Sequence, residues 1–594
     1  MLKQFLDFIK FYGKNKKSKI ILFLIISVFA GGLEFIGIGL IYPFLMMVVK
    51  PQTVINTEYY KTFTNFLGIQ NFYTAVLITG FLIVLMFVCK NILMILSLYA
   101  QNKFVINWKN DINKMLMKYY LHAPYKKLLE TTNSEKIHNL TVLSSQTLET
   151  FVFRMLVCST NIIVVLLILA LMLIKFPVVS AFVIIFAALC LTGLNKFFKN
   201  KTEILAPKML EFSLKNNNQI IENIKNLKEI RIFAAEKYFS DKFEKVQKEN
   251  NNIIFKNTFY AGIPPYILEI LMVLVLIILA GIITIQNAGE SSRIIASYGL
   301  IIAMIFRIAP SLNRIQVALN HMNSSKDMIK KMNEEYLKNK FDNISENTDN
   351  TLNIEFKDKL KAENICFCYQ KNKEVLKNIS FEINKGEFIG ITGLSGAGKT
   401  TLADILTGLL PTESGQIVVD EQIINEQNID GYKKLIGYVP QEMNILEDTF
   451  KNNVAWGITE NNIDENKIIE CLKKAQLFEF SESCGGINSY INGLSQGQKQ
   501  RLMIARALYK NSEIIFFDEA TSSLDVETEN EITEMLTNLK GTKTIIAIAH
   551  RLTTLKECDR IIYIKEGYLA DIGSFEELKN RHKDFEKLIN LSKI

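Results

Sequence analysis

Six stretches of this chain are apolar and long enough to cross a lipid bilayer: Ile20–Val49, Tyr73–Tyr99, Met155–Ile174, Phe176–Leu194, Ile263–Ile285 and Ile294–Ala318. A crossing takes about 20 apolar residues. Hydrocarbon offers the backbone no hydrogen-bond partner, so such runs must satisfy their own N–H and C=O groups as helices. An even number of crossings leaves both ends of the chain on one side. All six lie before Asn320 in a chain of 594 residues, longer than one core supports, so a second large domain is expected after them. Hydrophobic residues make up 49% of the chain, which agrees with a membrane class.

Lysine placement gives the orientation. Lys3, Lys10, Lys14, Lys16, Lys17 and Lys19 precede the first span, whereas the loop after it offers only Lys50 and Lys61. Positive residues stay on the cytoplasmic side, so the N-terminus and everything after the sixth span are expected in the cytoplasm, on a multi-pass protein of the cell membrane. The net charge of +8 mostly reflects this pattern. No basic stripe with interleaved aromatics is present, so nucleic-acid binding is not expected. Further apolar sequence follows Pro43 in place of a small-residue cleavage site, so no cleavable signal is expected either. The eight cysteines fall in spans or cytoplasmic sequence, and Cys366 and Cys368 form a C-x-C with no second pair. Reduced thiols are expected rather than a zinc site or a disulfide framework.

Two connections between spans are long and cytoplasmic, about Gln101–Arg154 and about Asn195–Gly262. Each reads as a pair of polar helices of about 25–30 residues, reaching roughly 40 Å at 1.5 Å per residue. Outward loops are short, and Lys175 alone separates the third and fourth spans. Asn323–Thr351, rich in Lys, Asn, Glu and Asp, reads as a helical exit and a solvated linker. From about Leu352 short β-type runs alternate with helical ones, among them Phe388–Thr392, Ile417–Val419, Ile514–Phe517 and Thr544–Ile548, which predicts a soluble α/β domain.

That domain carries the chemistry. The strand Phe388–Thr392 runs into Gly393, Leu394, Ser395, Gly396, Ala397, Gly398, Lys399, Thr400 and Thr401, with a helix beginning near Lys399. Glycines let backbone N–H groups curl around phosphates at a helix N-terminus, whose dipole favours anions. Lys399 is expected on the β- and γ-phosphates of ATP, and the Thr400 hydroxyl on Mg²⁺. The buried strand Ile514–Phe517 ends in Asp518 and Glu519. Asp518 is positioned for the metal's water shell, and Glu519 to polarise the attacking water. An acidic pair at this place can also simply cap a helix. The expected fold class is therefore multidomain: an all-α six-helix transmembrane domain with long cytoplasmic extensions (residues 1–322), a linker (323–351) and an α/β P-loop nucleotide-binding domain (352–594).

With these residues together, the second half resembles the nucleotide-binding domain of the ATP-binding cassette family, and the whole chain resembles its exporter-type half-transporters. The resemblance implies further roles. Tyr369 matches the aromatic that stacks on adenine. Gln441, after Tyr438-Val439-Pro440, matches the glutamine that touches Mg²⁺ and senses the membrane domain. Ser522-Ser523-Leu524-Asp525 matches a dimer-contacting loop, and His550 the histidine that contacts the γ-phosphate. Leu494-Ser495-Gln496-Gly497-Gln498 matches the family signature, in which Ser495 and Gly497, with Gln498 beside them, meet the γ-phosphate held by a partner copy's Gly393–Thr400. A second copy of the chain is thus the implied partner, and the intact motif set favours a homodimer. Two departures stand out: Gln496 replaces the usual glycine, and Gly485–Gly493 is several residues shorter than the family's stretch.

Charges inside spans are costly and usually face a cavity or a partner. Glu34, Lys90, Glu269, Arg307 and Arg314 are the candidates. Lys90 either pairs with a carboxylate, snorkels or meets cargo; Glu269 lies near a span end. Arg307 and Arg314 are seven residues apart and share a helix face. They face an anionic cargo, or else lipid headgroups and the cytoplasmic helices. The run Arg307-Ile308-Ala309-Pro310-Ser311-Leu312-Asn313-Arg314 and the amphipathic stretch Tyr59–Ile69 resemble bacterial lipid-linked oligosaccharide flippases of the same family. Thr131–Ile137 and Asn226–Phe233 resemble its coupling regions. The expected function is ATP-driven outward movement of a lipid-linked oligosaccharide or similar amphiphile, in contact with membrane lipids. Peptide or drug export is the alternative, and an ATP-gated channel or regulator the reading from another class. No peptidase-like segment precedes the spans, which counts against a leader-cleaving peptide exporter.

Overall fold

The computed structural model describes residues 2–13, 15–175, 177–286, 291–339, 353–369, 373–518, 526–549 and 552–586. These divide into two compact units: residues 1–123 with 131–344, and residues 124–130 with 345–594.

The first unit is helical. Among the described residues six helices are long and apolar enough to cross a membrane. The first runs over Lys17–Gly39 and resumes over Ile41–Val49; the break has a cause in Pro43, which has no N–H to give the carbonyl of Gly39. Between the first and second spans lies a short helix, Glu58–Leu67, capped by the Thr57 side chain and ended by Gly68 at φ +65°. The helices Phe72–His122, Pro177–Lys225 and Glu236–Gln286 hold 51, 49 and 51 residues. At 1.5 Å per residue each measures roughly 75 Å, far more than a bilayer needs. The excess is the helical extension expected of the long connections. Third-span residues Val164, Ile168 and Met172 pack with Met304, Ile308 and Leu312 of the sixth, within one buried cluster. Gly31 lets the first span close on the third, since a Cβ there would meet Leu167 Cδ1 at 2.5 Å.

The helical part of the stretch read as a helical exit and solvated linker is packed within the first unit. The sixth-span helix continues to Ser324, and a further helix, Lys326–Asn339, buries Met328, Ile329 and Met332 in the first unit. The N-terminal helix Leu2–Tyr12 joins them: the Tyr12 hydroxyl donates to the Met332 carbonyl at 2.7 Å, and Trp108 Nε1 donates to the Tyr12 carbonyl at 2.8 Å.

The second unit is built on two sheets. Its strands are β1 (Lys359–Cys368), β2 (Glu374–Asn384), β3 (Phe388–Gly393), β4 (Ser414–Val419), β5 (Gln422–Ile423), β6 (Ile436–Val439), β7 (Ile514–Asp518), β8 (Thr544–Ile548), β9 (Arg560–Lys565) and β10 (Tyr568–Gly573). One sheet is antiparallel with order β2-β1-β4-β5. The other has order β10-β9-β3-β8-β7-β6 and is parallel except for the β9–β10 hairpin. Its central strands β3, β7 and β8 are buried along their whole length and mostly apolar because both faces are covered. Ile515 and Phe517 of β7 enter one buried cluster, while Ile514 and Phe516 enter the other.

Residues 124–130 belong to this unit too. Lys126 Nζ bonds Glu413 Oε1 at 2.5 Å and stands 5.1 Å from the centre of the Phe367 ring. The stretch read as a coupling region, Thr131–Ile137, directly follows this segment and lies in the first unit, where Thr132 caps a helix, Asn133–His138. The other, Asn226–Phe233, is also in the first unit, with Leu227, Ile232 and Phe233 exposed.

Candidate functional site

The parallel sheet brings the separate motifs to one edge. Strands β3, β8, β7 and β6 are neighbours and run the same way, so their C-terminal ends lie along one margin, where open α/β sheets bind ligands. The phosphate loop follows β3. Asp518 ends β7, and Gln441 comes two residues after β6. Glu519, His550 and Ser522–Asp525 lie outside the described residues; in sequence Glu519 follows Asp518, and His550 comes two residues after the end of β8.

The loop has the backbone that its glycines permit. Gly396 and Gly398 adopt φ +79° and +103°. A Cβ on Gly398 would meet Leu376 Cδ2 at 2.6 Å, so the position admits little but glycine. Ala397 N–H donates to the Leu394 carbonyl, closing the turn, and the helix Lys399–Leu406 starts directly after. Lys399 Nζ is buried inside its own loop and donates to the carbonyls of Gly393 and Leu394 at 3.1 and 3.0 Å. Leu394, Ser395, Gly396 and Thr400 are exposed, and Thr401 is buried. Tyr369 is linked to this helix, its hydroxyl 3.2 Å from Thr401 Oγ1, and its ring meets Phe367 edge-on. The aromatic read as an adenine platform thus stands beside the phosphate loop.

Asp518 accepts a hydrogen bond from the Tyr438 hydroxyl at 3.0 Å. Burial and the Asp518 charge both push the Tyr438 phenol up, so it stays a donor. Asp404, one turn beyond Thr400 on the loop's helix, is pushed up to about 6 by burial and by Asp518. Neither Tyr438 nor Asp404 was recognised as part of the site from sequence; the adjacency of β6 and β7 is what brings Tyr438 to Asp518. Thr400, Gln441 and Asp518 offer hydroxyl, amide and carboxylate oxygens, the hard donors Mg²⁺ takes. Among the described residues no group of three or more His, Cys, Asp or Glu is set to hold a metal. A cation that takes most of its ligands from phosphates and water needs no such group.

The signature segment starts a helix, Gln496–Tyr509. Gly493 at φ +67° turns the chain into it, and Ser495 is its N-cap. Ser495 Oγ accepts from Gln498 N–H at 3.2 Å, and Ser495 N–H donates to Gln498 Oε1 at 2.8 Å. The departure at Gln496 leaves this start intact. Gly497 is buried in the first turn. Farther along, the Arg506 guanidinium lies 3.9 Å over the Trp456 ring and donates to the Asn453 carbonyl; burial pulls it down to about 10.

The membrane unit holds a second constellation. Lys90, Arg307 and Arg314 line a cavity of about 310 Å³ together with Asn91, Ser97, Gln101, Thr160 and Asn161. Lys90 Nζ is 3.5 Å from Glu34 Oε2, and Arg307 Nη2 donates to the same oxygen at 3.2 Å. Lys90 thus pairs with a carboxylate, one of the alternatives open to it, while also lining the cavity. Arg307 and Arg314, both on the sixth-span helix, line it together. Glu269 lines a separate cavity of about 550 Å³ with Tyr266, Phe306, Pro310 and Asn313.

Similar proteins agree with this division. Residues 18–308 match the profile of the ABC transporter transmembrane region, and residues 376–522 that of the ABC transporter. An ATP-dependent lipid A-core flippase of Coxiella burnetii is 30% identical over 380 residues, covering 62% of this chain and 62% of its own. Its namesake from Francisella tularensis subsp. holarctica is 30% identical over 405 residues, covering 66% of this chain and 64% of its own. The match thus spans a little under two thirds of these relatives. A bacterial Atm1-family ABC exporter with ATP bound superposes with a TM-score of 0.77 over 96% of this chain and 97% of that one, at 19% identity, a likeness of fold. With a helical membrane region and a nucleotide cassette in a single polypeptide, the chain belongs to the ABC transporter family.

Proposed function

We propose that this protein is an ATP-driven exporter that flips a lipid-linked oligosaccharide or a similar anionic amphiphile outward, as a dimer of two identical chains. The observation that carries the reading is the cavity walled by Lys90, Arg307 and Arg314 within a span bundle whose chain also holds a nucleotide site. Cations in a membrane interior are costly and need a reason, and a phosphate-bearing head group supplies one. The relatives' names, lipid A-core flippase, support an amphiphilic cargo.

In the nucleotide unit, Tyr369 stacks on adenine while the N–H groups of Gly393–Thr401 and Lys399 hold the phosphates. An ammonium prefers phosphate oxygens to the carbonyls it bonds here, because the bond is then charge-assisted on both sides. Mg²⁺, when bound, neutralises charge on the β- and γ-phosphates. Thr400, Asp518 and Gln441 are the residues to hold it. Glu519 polarises the attacking water and His550 contacts the γ-phosphate. Ser495, Gly497 and Gln498 reach the nucleotide of the second copy through the N-terminus of their helix. The domain division 1–322, 323–351 and 352–594, with the N-terminus and the nucleotide unit in the cytoplasm, belongs to the same proposal. So does coupling through the exposed Leu227, Ile232 and Phe233.

A second reading, export of a cationic peptide or drug, draws on the larger cavity, which is mostly apolar and carries the Glu269 carboxylate. Proteoliposomes decide between them. The first reading expects a polyprenyl-pyrophosphate glycan to stimulate ATP hydrolysis and to be flipped, with Arg314→Ala losing the stimulated increment. Stimulation by cationic peptides alone would overturn it.

A further inference from the structure

The Glu34 side chain has no exposed area, and Lys90 is 2% exposed. Glu34 does not line the cavity; it stands behind the wall that Lys90 and Arg307 form. One carboxylate therefore serves two of the three cavity cations. No ion-pair partner of Arg314 is present among the described residues. Three cations against one carboxylate leave the cavity with a positive excess, and the neighbouring Asn91, Asn161, Thr160, Ser97 and Gln101 add dipoles but no charge.

Two facts about these groups do not follow from an anionic cargo alone. The first is that the carboxylate is enclosed among cations that the cargo is to meet, so it lowers their attraction for any anion. The second is its chemistry: an oxygen acid bridging a lysine and an arginine makes the same contacts as a phosphate oxygen placed between them. The geometry points to Glu34 as an internal stand-in for the cargo's head group, a positioning residue that holds Lys90 and Arg307 in place while the cavity is empty. It competes with the incoming phosphate for them. Arg314 is the cation available for first contact. Because Glu34 recaptures Lys90 and Arg307 when the head group leaves, it weakens binding and speeds release, as a carrier that must let go of its cargo requires. This inference rests on the anionic-amphiphile reading of the cavity.

The test measures binding of farnesyl pyrophosphate, a short isoprenoid with the relevant head-group chemistry, to the purified full-length protein in detergent. The nucleotide sites are kept saturated with ADP so that pyrophosphate cannot report on the phosphate loop. Farnesol and inorganic pyrophosphate separate tail from head. Wild type is expected to bind farnesyl pyrophosphate but not farnesol. Glu34→Gln is expected to bind it roughly tenfold more tightly, with slower release, while Glu34→Asp stays near wild type. A merely structural carboxylate gives the opposite sign, weaker binding in Glu34→Gln. Equal or weaker binding there, with wild-type binding intact, overturns the inference and leaves the cargo reading standing. No binding by wild type overturns both. Since Glu34→Gln strands Lys90, Lys90→Met and the double variant Lys90→Met/Glu34→Gln are compared in the same assay. The double variant must bind more tightly than the single one, and equality overturns the stand-in role.

Discussion

The two units treat the same side chains in opposite ways. In the nucleotide unit Phe388, Phe516 and Ile546 are at most 1% exposed. In the membrane unit Leu77, Phe81 and Phe306 are 74%, 66% and 73% exposed, while Glu34 and Lys90 are buried. One rule, that apolar surface leaves water, gives both results once the solvent on the outside is hydrocarbon. The lesson concerns charges. An exposed lysine on the nucleotide unit costs nothing and says little, whereas a charge inside the span bundle exists against a penalty of about 2.5–3.5 kcal/mol on insertion scales and so points to a use.

The comparison can be broken at several places. The largest effect belongs to the nucleotide unit's chemistry: Glu519→Gln is expected to lower ATP turnover at least about a hundredfold while ATP still binds. Phosphate release and nucleotide binding measured side by side check this, and near-normal release would remove Glu519 from its role. Next comes packing. Phe516→Ala should destabilise the nucleotide unit by about 3–5 kcal/mol. The same change at Phe81 should cost no more than about 0.5 kcal/mol. Thermal unfolding of the two variants in one lipid mixture compares the regions directly, and similar losses would mean that Phe81 packs against protein.

The smallest effect is a pH dependence. The Asp404 carboxyl lies at about 6 in the folded protein against an ordinary 3.8. Between those values the folded chain keeps a proton that the unfolded chain gives up. The group therefore lowers stability as pH rises through 6, and that loss disappears below the unfolded value. In nucleotide-free protein Asp404→Asn should raise the melting temperature by about 3 °C near pH 7.5. The gap should close towards about pH 4.5. A gap independent of pH would assign the effect to something other than charge.

Legibility in the sequence followed the same division. The loop Gly393–Thr401 was readable because phosphate binding needs glycine where φ is positive and lysine where the helix begins, at fixed spacing. The six spans were readable from length and apolarity alone. The cluster behind the cationic cavity was not, because Glu34 and Arg307 are 273 residues apart and no local pattern links them. Lys326–Asn339 was readable as part of a helical exit, but its packing was not, because it is strongly polar and its buried stripe of Met328, Ile329 and Met332 is only one turn wide. Residues 124–130 were passed over for their neighbours, since a helix of four residues, Tyr125–Leu128, is too short to show a period.

That short segment has a mechanical consequence. The chain leaves the first unit at Ala123, contributes seven residues to the second, returns at Thr131 and crosses again near Ser345. The second unit is therefore stitched to the first by three covalent crossings instead of one. The segment is joined directly to two helices of the first unit, Phe72–His122 before it and Asn133–His138 after it. Cutting the chain after the last span would yield a nucleotide unit without its own Lys126, leaving Glu413 and the Phe367 ring bare of the cation that covers them.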